Sequence, residues 1–394
     1  MTPEERSIRE MTREFADGEI RPRSAGWDEH RRLDEDVLGM LAEFGFLGMG
    51  IPEAFGGLGF DLSTCLAATE ELARGDGSLA LSVSMQNGPV TSLLLAHASE
   101  DLQHELLPGI ASGGRLVAFA LGELGAAGAE DAEDAIATPA GDGWRLDGHK
   151  HWVVDGNRAG AAMVFARPAA QSGTGGAGVF LVDTSAPGYR VVRRRETLGL
   201  CAAEIVDVEL DGVAVSAHRV IGSPRLGDEY AAQALPLSRL GGAAVALGIA
   251  QAAFEHAARY SREREQFGRA LTAFGAIRHK LAGMATRIAA ARALVRETAA
   301  ALEAPGAEGG VGLASWTDRP GLTATPDMAR WAASHAAVSV AREAVQIFGG
   351  YGYMRDYPVE KLMRDASGTS ICEATGEVLR MIAARGFEAT VATG

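Results

Sequence analysis

Gln346-Ile347-Phe348-Gly349-Gly350-Tyr351-Gly352-Tyr353, then Arg364-Asp365, then Ile371-Cys372-Glu373-Ala374-Thr375 are the pieces near the C-terminus from which the rest of the chain is read. Glu373 follows Ile371 and Cys372 and precedes Ala374, so partial burial would raise its pKa toward neutrality and make it a usable proton acceptor. On those neighbours alone, though, it reads more readily as a helix-surface residue than as a catalytic one. Gly349 and Gly350 suit a helix C-terminus, and they equally suit a place where main chain approaches a ligand closely, because glycine lacks Cβ. No strand precedes them and the spacing is not Gly-x-Gly-x-x-Gly, so no nicotinamide site is implied. Cys372 has no histidine near it in sequence and reads as a small buried thiol rather than a nucleophile.

Working outward, 394 residues are too many for one simple core and suit two or three subdomains sharing an interior. With 47% apolar and 22% charged residues, and no unbroken apolar run near the length of a membrane span, the composition is globular. The formal charge of 37 minus 51, or −14, with basic residues dispersed rather than striped, argues against nucleic acid as a partner. The many alanines and the 50 glycines point to a high-GC genome. Met1-Thr-Pro-Glu-Glu opens acidic and polar, without the basic start and apolar core of a signal peptide, so a cytoplasmic protein without membrane association is expected. Cys65, Cys201 and Cys372 are widely spaced and form no Cys-x-x-Cys. Neither a disulfide framework nor a zinc site is expected, and reduced thiols fit an intracellular enzyme.

Thr2-Pro3-Glu4-Glu5 is written as a helix start, with a cap, proline at the first position and Glu at the third. Apolar periodicity over 34–46, 62–74, 78–98 and 100–110 predicts an all-helical unit at 1–112. Short β-rich runs then follow at 116–121, 144–146, 162–165, 178–182 and 205–210, and Asp147-Gly148 reads as a hairpin turn. Residues 113–225 are expected to form a β-barrel or sandwich. From Pro236 onward, Leu240, Ala243, Leu247, Ala250, Phe254 and Ala257, then Ile277, Leu281, Met284, Ile288 and Ala291, keep helical spacing, which predicts two long antiparallel helices. Residues 304–326 read as a long loop, 328–348 as another helix and 378–384 as a last one. The expected class is α+β, with a C-terminal four-helix bundle over 226–394.

The C-terminal pieces, together with Ile51-Pro-Glu-Ala-Phe-Gly-Gly-Leu-Gly59, Lys150-His-Trp-Val-Val-Asp-Gly156, Leu198-Gly-Leu200 and Tyr260-Ser-Arg-Glu-Arg-Glu-Gln-Phe-Gly268 in the same order, resemble the acyl-CoA dehydrogenase family. The resemblance implies an FAD-dependent oxidoreductase that desaturates an acyl thioester on CoA or on an acyl carrier protein. Glu373 would be the base that takes the proton beside the thioester, while a hydride leaves the next carbon for FAD. It further implies an electron-transfer flavoprotein or similar acceptor and a homo-oligomer, dimer or tetramer, for which long helices rich in small residues are suited.

By the same resemblance Trp152 flanks the flavin ring, although on its own it reads as a core or edge tryptophan. Arg264 reaches the FAD pyrophosphate of a neighbouring subunit, with Gln266, Phe267 and Leu271 beside it; without the resemblance this segment is a solvated helix end. Gln346, Gly349 and Gly350 meet the adenine half of the cofactor. Phe119, Leu121, Gly122, Val154, Thr375 and Glu377 complete the flavin contacts, and Gly128, Arg239 and Ala374 the substrate contacts. Arg239 is placed just before the long helix, near the acyl-chain end of the pocket or in electrostatic support of Glu373.

The chain departs from the family pattern where Gly122 replaces a flavin-bonding Thr, Gly128 a Ser, Val154 a Thr, Gly275 a Gln and Cys201 an Arg. Each lost side-chain bond to a buried ring atom costs on the order of 1 kcal/mol unless main-chain N–H groups take over. Two alternatives therefore stay open. One is the same fold with a weakened or lost flavin site, serving as a lyase-type enzyme or binding subunit; the other is a flavin oxidase or monooxygenase.

Overall fold

The computed structural model describes residues 2–122, 135–169, 176–303 and 325–371, together with Arg380. The chain opens with α1 (Pro3–Phe15), whose cap Thr2 accepts from Glu5 N at 3.0 Å through its hydroxyl. A wide π turn at Ala16–Ile20 leads into α2 (Arg21–His30), then α3 (Val37–Glu43), α4 (Leu62–Gly75) and α5 (Gly77–Met85). The helix expected over 78–98 is interrupted at Gln86–Val90 by a second π turn carrying Pro89, which relieves the clash of its ring with the preceding turn. It continues as α6 (Thr91–His97), followed by α7 (Glu100–Ala111).

β1 (Val117–Ala120), β2 (Ile136–Ala140), β3 (Gly143–Val154), β4 (Ala161–Pro168), β5 (Gly178–Asp183), β6 (Tyr189–Arg194), β7 (Ile205–Ser216) and β8 (Val220–Ile221) form one sheet in the order β6-β7-β3-β2-β4-β5-β8, with β1 parallel to β4. β4 turns the corner, since its first six residues pair with β5 and its last two with β2. Alternate residues of β4 feed two cores. Ala162, Val164 and Ala166 join the interior with β3 and β7, whereas Ala161, Met163 and Phe165 pack with Leu93, Leu94 and Leu106 of α6 and α7, as a period of two requires. The Gln86 amide sews the helical unit to the sheet, donating to Val117 O at 3.0 Å and accepting from Val117 N at 3.1 Å.

Asp147-Gly148 is not the hairpin turn. The β2–β3 turn falls at Gly141-Asp142, where Gly141 has φ +60°, and Asp147 lies inside β3 at a register shift against β7. There its Oδ1 accepts from Gly212 N at 2.8 Å, so an Asp-Gly pair that suits a turn serves a bulge instead.

α8 (Gly227–Glu263) starts nine residues before Pro236, which sits within it, and Arg239 is therefore inside the helix rather than ahead of it. One window of α8 is apolar and long enough to cross a membrane, yet 83% of it is buried inside the protein, as befits a core helix. The short hairpin β9 (Glu265–Gln266) and β10 (Arg269–Ala270) connects it to α9 (Gly275–Glu303). α10 (Pro326–Phe348) follows, capped by Thr325, and α11 (Val359–Thr369) is a helix the periodicity did not disclose. Residues 304–324 of the expected loop and the expected helix at 378–384, apart from Arg380, lie outside the described residues.

α11 carries the joint between the three regions. Lys361 Nζ lies 3.0 Å from Asp76 Oδ2 and 2.7 Å from Asp365 Oδ2, all buried. Asp76 also caps α5 and accepts from Ser24 Oγ at 2.6 Å, while Asp365 Oδ1 accepts from Leu200 N at 2.6 Å. Burial alone would lower the Lys361 pKa, but the two carboxylates push it well above the usual range. Replacing Lys361 with Met strands two buried carboxylates and is expected to destabilise the protein by about 3–5 kcal/mol in urea titration; a loss under about 1 kcal/mol would match a surface pair instead.

Candidate active site

The expected site residues fall into two groups. The first lies where the end of β1 meets the end of β3. Phe119 is buried on β1 against Phe165, their rings 5.2 Å apart. Beyond the strand, Lys150 Nζ donates to Leu121 O at 3.4 Å and His151 N donates to Gly122 O at 3.0 Å. A Cβ at Gly122 would stand 2.6 Å from His151 O, so the close passage of main chain past main chain excludes a side chain there. Trp152 follows with φ +60° and is 51% exposed, and Val154 is half-buried opposite Ile205.

The second group lies at the C-terminal ends of α8 and α10. Arg264 caps α8 and its guanidinium sits 5.6 Å from the centroid of Tyr351. Gln266 is exposed on β9, Phe267 at the hairpin tip is 92% exposed with φ +52°, and Leu271 N donates to Arg264 O at 2.9 Å. Gln346 is exposed near the end of α10; Gly349, with φ +62°, and Gly350 have nothing within 4 Å of where a Cβ would be. The second group thus offers three guanidine or amide donors, Arg264, Gln266 and Gln346, with an aromatic ring and open main chain, and the bonds above tie each group internally rather than to the other.

Arg239 is paired: its Nη1 lies 2.9 Å from Oδ1 of Asp327, a fully buried carboxylate in the first turn of α10. Burial pushes Asp327 up, against the pull of Arg239. Glu373, Ala374, Thr375, Glu377, Cys372 and Gly128 lie outside the described residues. Cys201, where the family pattern has an arginine, is approached by Arg31 and Arg364, whose Nη1 atoms lie 3.6 and 3.7 Å from its sulfur. Two arginines from distant segments thus bring positive charge to that place.

Sequence reading missed Asp327, Arg195 and Asp207. An Asp set directly between the apolar Val206 and Val208 is the signal that could have singled out Asp207, since a carboxylate there is buried only with partners. Arg195 was hidden in a run of three arginines.

Asp155 ends the segment after Val154. It is fully buried with φ +57°, and neither carboxylate oxygen finds a hydrogen-bond donor among the described residues; Arg158 Nη1 stands 3.6 Å away. Burial pushes its pKa up against the pull of Arg158. The folded chain therefore holds this proton more tightly than the unfolded chain, and stability is lost as pH rises from the unfolded value of about 3.9 through the folded one. Asp155→Asn is expected to stabilise the protein by about 1 kcal/mol at pH near 8, with the gain shrinking toward pH 4; thermal melts across that range check it, and a destabilised variant at high pH would contradict it.

Sequence models of the acyl-CoA dehydrogenase N-terminal, middle and C-terminal domains match residues 2–114, 118–213 and 226–387. The chain is 35% identical over 382 residues to an acyl-CoA dehydrogenase of Bacillus subtilis, with 97% of each chain covered. It is 32% identical over 384 residues to a short-chain specific acyl-CoA dehydrogenase of Clostridium acetobutylicum, again covering 97% of each. The structure of butyryl-CoA dehydrogenase from Megasphaera elsdenii superposes with a TM-score of 0.88 at 30% identity, over 98% of each chain.

Proposed function

The chain belongs to the acyl-CoA dehydrogenase family, and from that premise we propose that it desaturates an acyl thioester with Glu373 as the base. As a family member it is an FAD-dependent oxidoreductase. Glu373 takes the proton from the carbon beside the thioester, which a carboxylate does best when its environment raises its pKa toward the working pH. When bound, FAD would supply the acceptor for the hydride of the neighbouring carbon.

The residues present fit that cofactor. Trp152 offers a half-exposed aromatic plane at the end of β3, suited to flank a planar ring and exclude water from it. Arg264 is a permanent cation able to grip a pyrophosphate, Gln266 and Gln346 offer exposed amides, and the open main chain at Gly349 and Gly350 admits close approach. Gly122 and Val154 themselves carry no side-chain donor, so any hydrogen bond from either to the ring comes from its main chain. The exposure of Phe267 at the hairpin tip, in a backbone conformation bulky residues avoid, supports a reading in which the second group serves a site on another copy of the chain. A dimer or tetramer, a cytoplasmic setting, the domain limits 1–112, 113–225 and 226–394, an electron-transfer flavoprotein as acceptor and CoA or a carrier protein as the thioester's handle all belong to this proposal.

The observation that carries the reading is the set of three domain matches spanning nearly the whole chain with the flavin-side and pyrophosphate-side residues left open. A second reading is favoured by Gly122, where 2.6 Å to His151 O leaves no room for a side-chain donor: a loosened flavin site in a lyase-type enzyme or binding subunit. Glu373→Gln is expected to lower turnover of acyl thioester with an artificial acceptor by about 10²–10⁴-fold with flavin content unchanged. Surviving activity would move the base elsewhere, and turnover without acceptor reduction would favour the second reading.

A further inference from the structure

Trp152 is held in a way ordinary strand structure does not require. β3 and β7 pair Lys150 with Val208 and next Val153 with Val206, so His151 and Trp152 together face the single residue Asp207. This two-against-one bulge lifts the indole out of the ladder, with Trp152 at φ +60°, a region bulky residues avoid unless their surroundings hold them there.

The surroundings that hold it are specific. Trp152 N donates to Oδ1 of Asp207 at 3.3 Å, and His151 Nδ1 lies 3.3 Å from the same oxygen. Asp207 is buried, and Arg195 forks onto it, Nε to Oδ1 at 2.9 Å and Nη2 to Oδ2 at 2.7 Å. The fork seats the guanidinium 4.2 Å from the centroid of the Trp152 ring, and Arg195 N itself donates to Ile205 O at 2.8 Å. One planar cation therefore covers the indole while about half the residue stays open. Arginine can bind a carboxylate through two parallel bonds and stack on a ring at once; lysine cannot.

We propose that Arg195 and Asp207 are positioning residues that lock Trp152 as a rigid aromatic wall for the planar ring of the cofactor, an inference that rests on the flavin reading above. Neither residue needs to touch the cofactor. The lock removes the freedom the indole would otherwise lose on binding, which is how preorganisation raises affinity.

The test uses the full chain labelled with fluorotryptophan, its Trp152 fluorine resonance identified by its disappearance in Trp152→Phe, alongside titration of each apoprotein with FAD. In Arg195→Gln and Asp207→Asn the Trp152 resonance is expected to move toward the free indole position and FAD affinity to fall about tenfold. Arg195→Lys is expected to recover part of both, and Arg195→Gln to add nothing in the Trp152→Phe background. A resonance that stays put in Arg195→Gln overturns the lock. A resonance that moves with FAD affinity unchanged overturns its link to the cofactor. A wild-type chain that takes up no FAD overturns the flavin reading itself, and with it the purpose assigned to the lock, while the resonance shift separately reports whether the lock exists.

Discussion

The Lys361 ammonium, buried between Asp76 and Asp365, is the contact on which the arrangement of the three regions depends. A buried charge is tolerated only when paired and hydrogen-bonded, and here every arm of the pair reaches a different part of the chain. Asp76 fixes the start of α5 and holds Ser24 of α2; Asp365 holds the main chain at Leu200. Next to it Arg364 forks onto Asp28 at 3.0 and 2.6 Å and bonds Leu198 O at 3.1 Å. Gly199 passes so close that a Cβ would fall 2.1 Å from the Arg364 carbonyl. The helix carrying this lock ends at Thr369, four positions before Glu373 in the sequence.

The sheet region applies the same economy of charge at smaller scale. Asp207 satisfies a displaced backbone N–H and a guanidinium together, and the reward is a tryptophan presented outward at a strained backbone position. Gly122, pressed against β3 by main-chain pairing, gives up the side-chain contact that a threonine could make. A flavin ring seated there would rely on main-chain donors and on the Trp152 wall. Arg264, Gln266 and Gln346, the donors proposed for the far end of the cofactor, sit at the end of α8, on the hairpin that follows it and near the end of α10, and the apolar tip of that hairpin is bare. Both features fit a cofactor held between copies of the chain.

Much of this was legible in the sequence, and for identifiable reasons. The cap at Thr2, the long apolar periodicity of α8 and α9, and the short β-rich runs each carry a local signal, and the ordered motifs carried the family. What escaped was whatever depends on distant partners. Lys361 and Asp365 look like a solvated pair one helical turn apart, and only residues 285 and 165 positions away in sequence bury them. That is also why α11, polar in composition, was missed. Pro236 looked like a helix start because nothing local says that a preceding turn continues into it. Asp147-Gly148 misled because the same dipeptide suits a turn and a bulge, and the choice was made by β7. Of the candidate site, the residues were named but the devices that hold them, Arg195, Asp207 and Asp327, were not, since each acts through a partner far along the chain.

The most direct measurement is the visible absorption spectrum of the purified protein before and after incubation with FAD. The account predicts a retained flavin band, perturbed from that of free FAD, carried by main-chain contacts around Gly122 and Val154 and by the Trp152 wall. A colourless protein that takes up no FAD would contradict it and leave the fold serving chemistry other than desaturation.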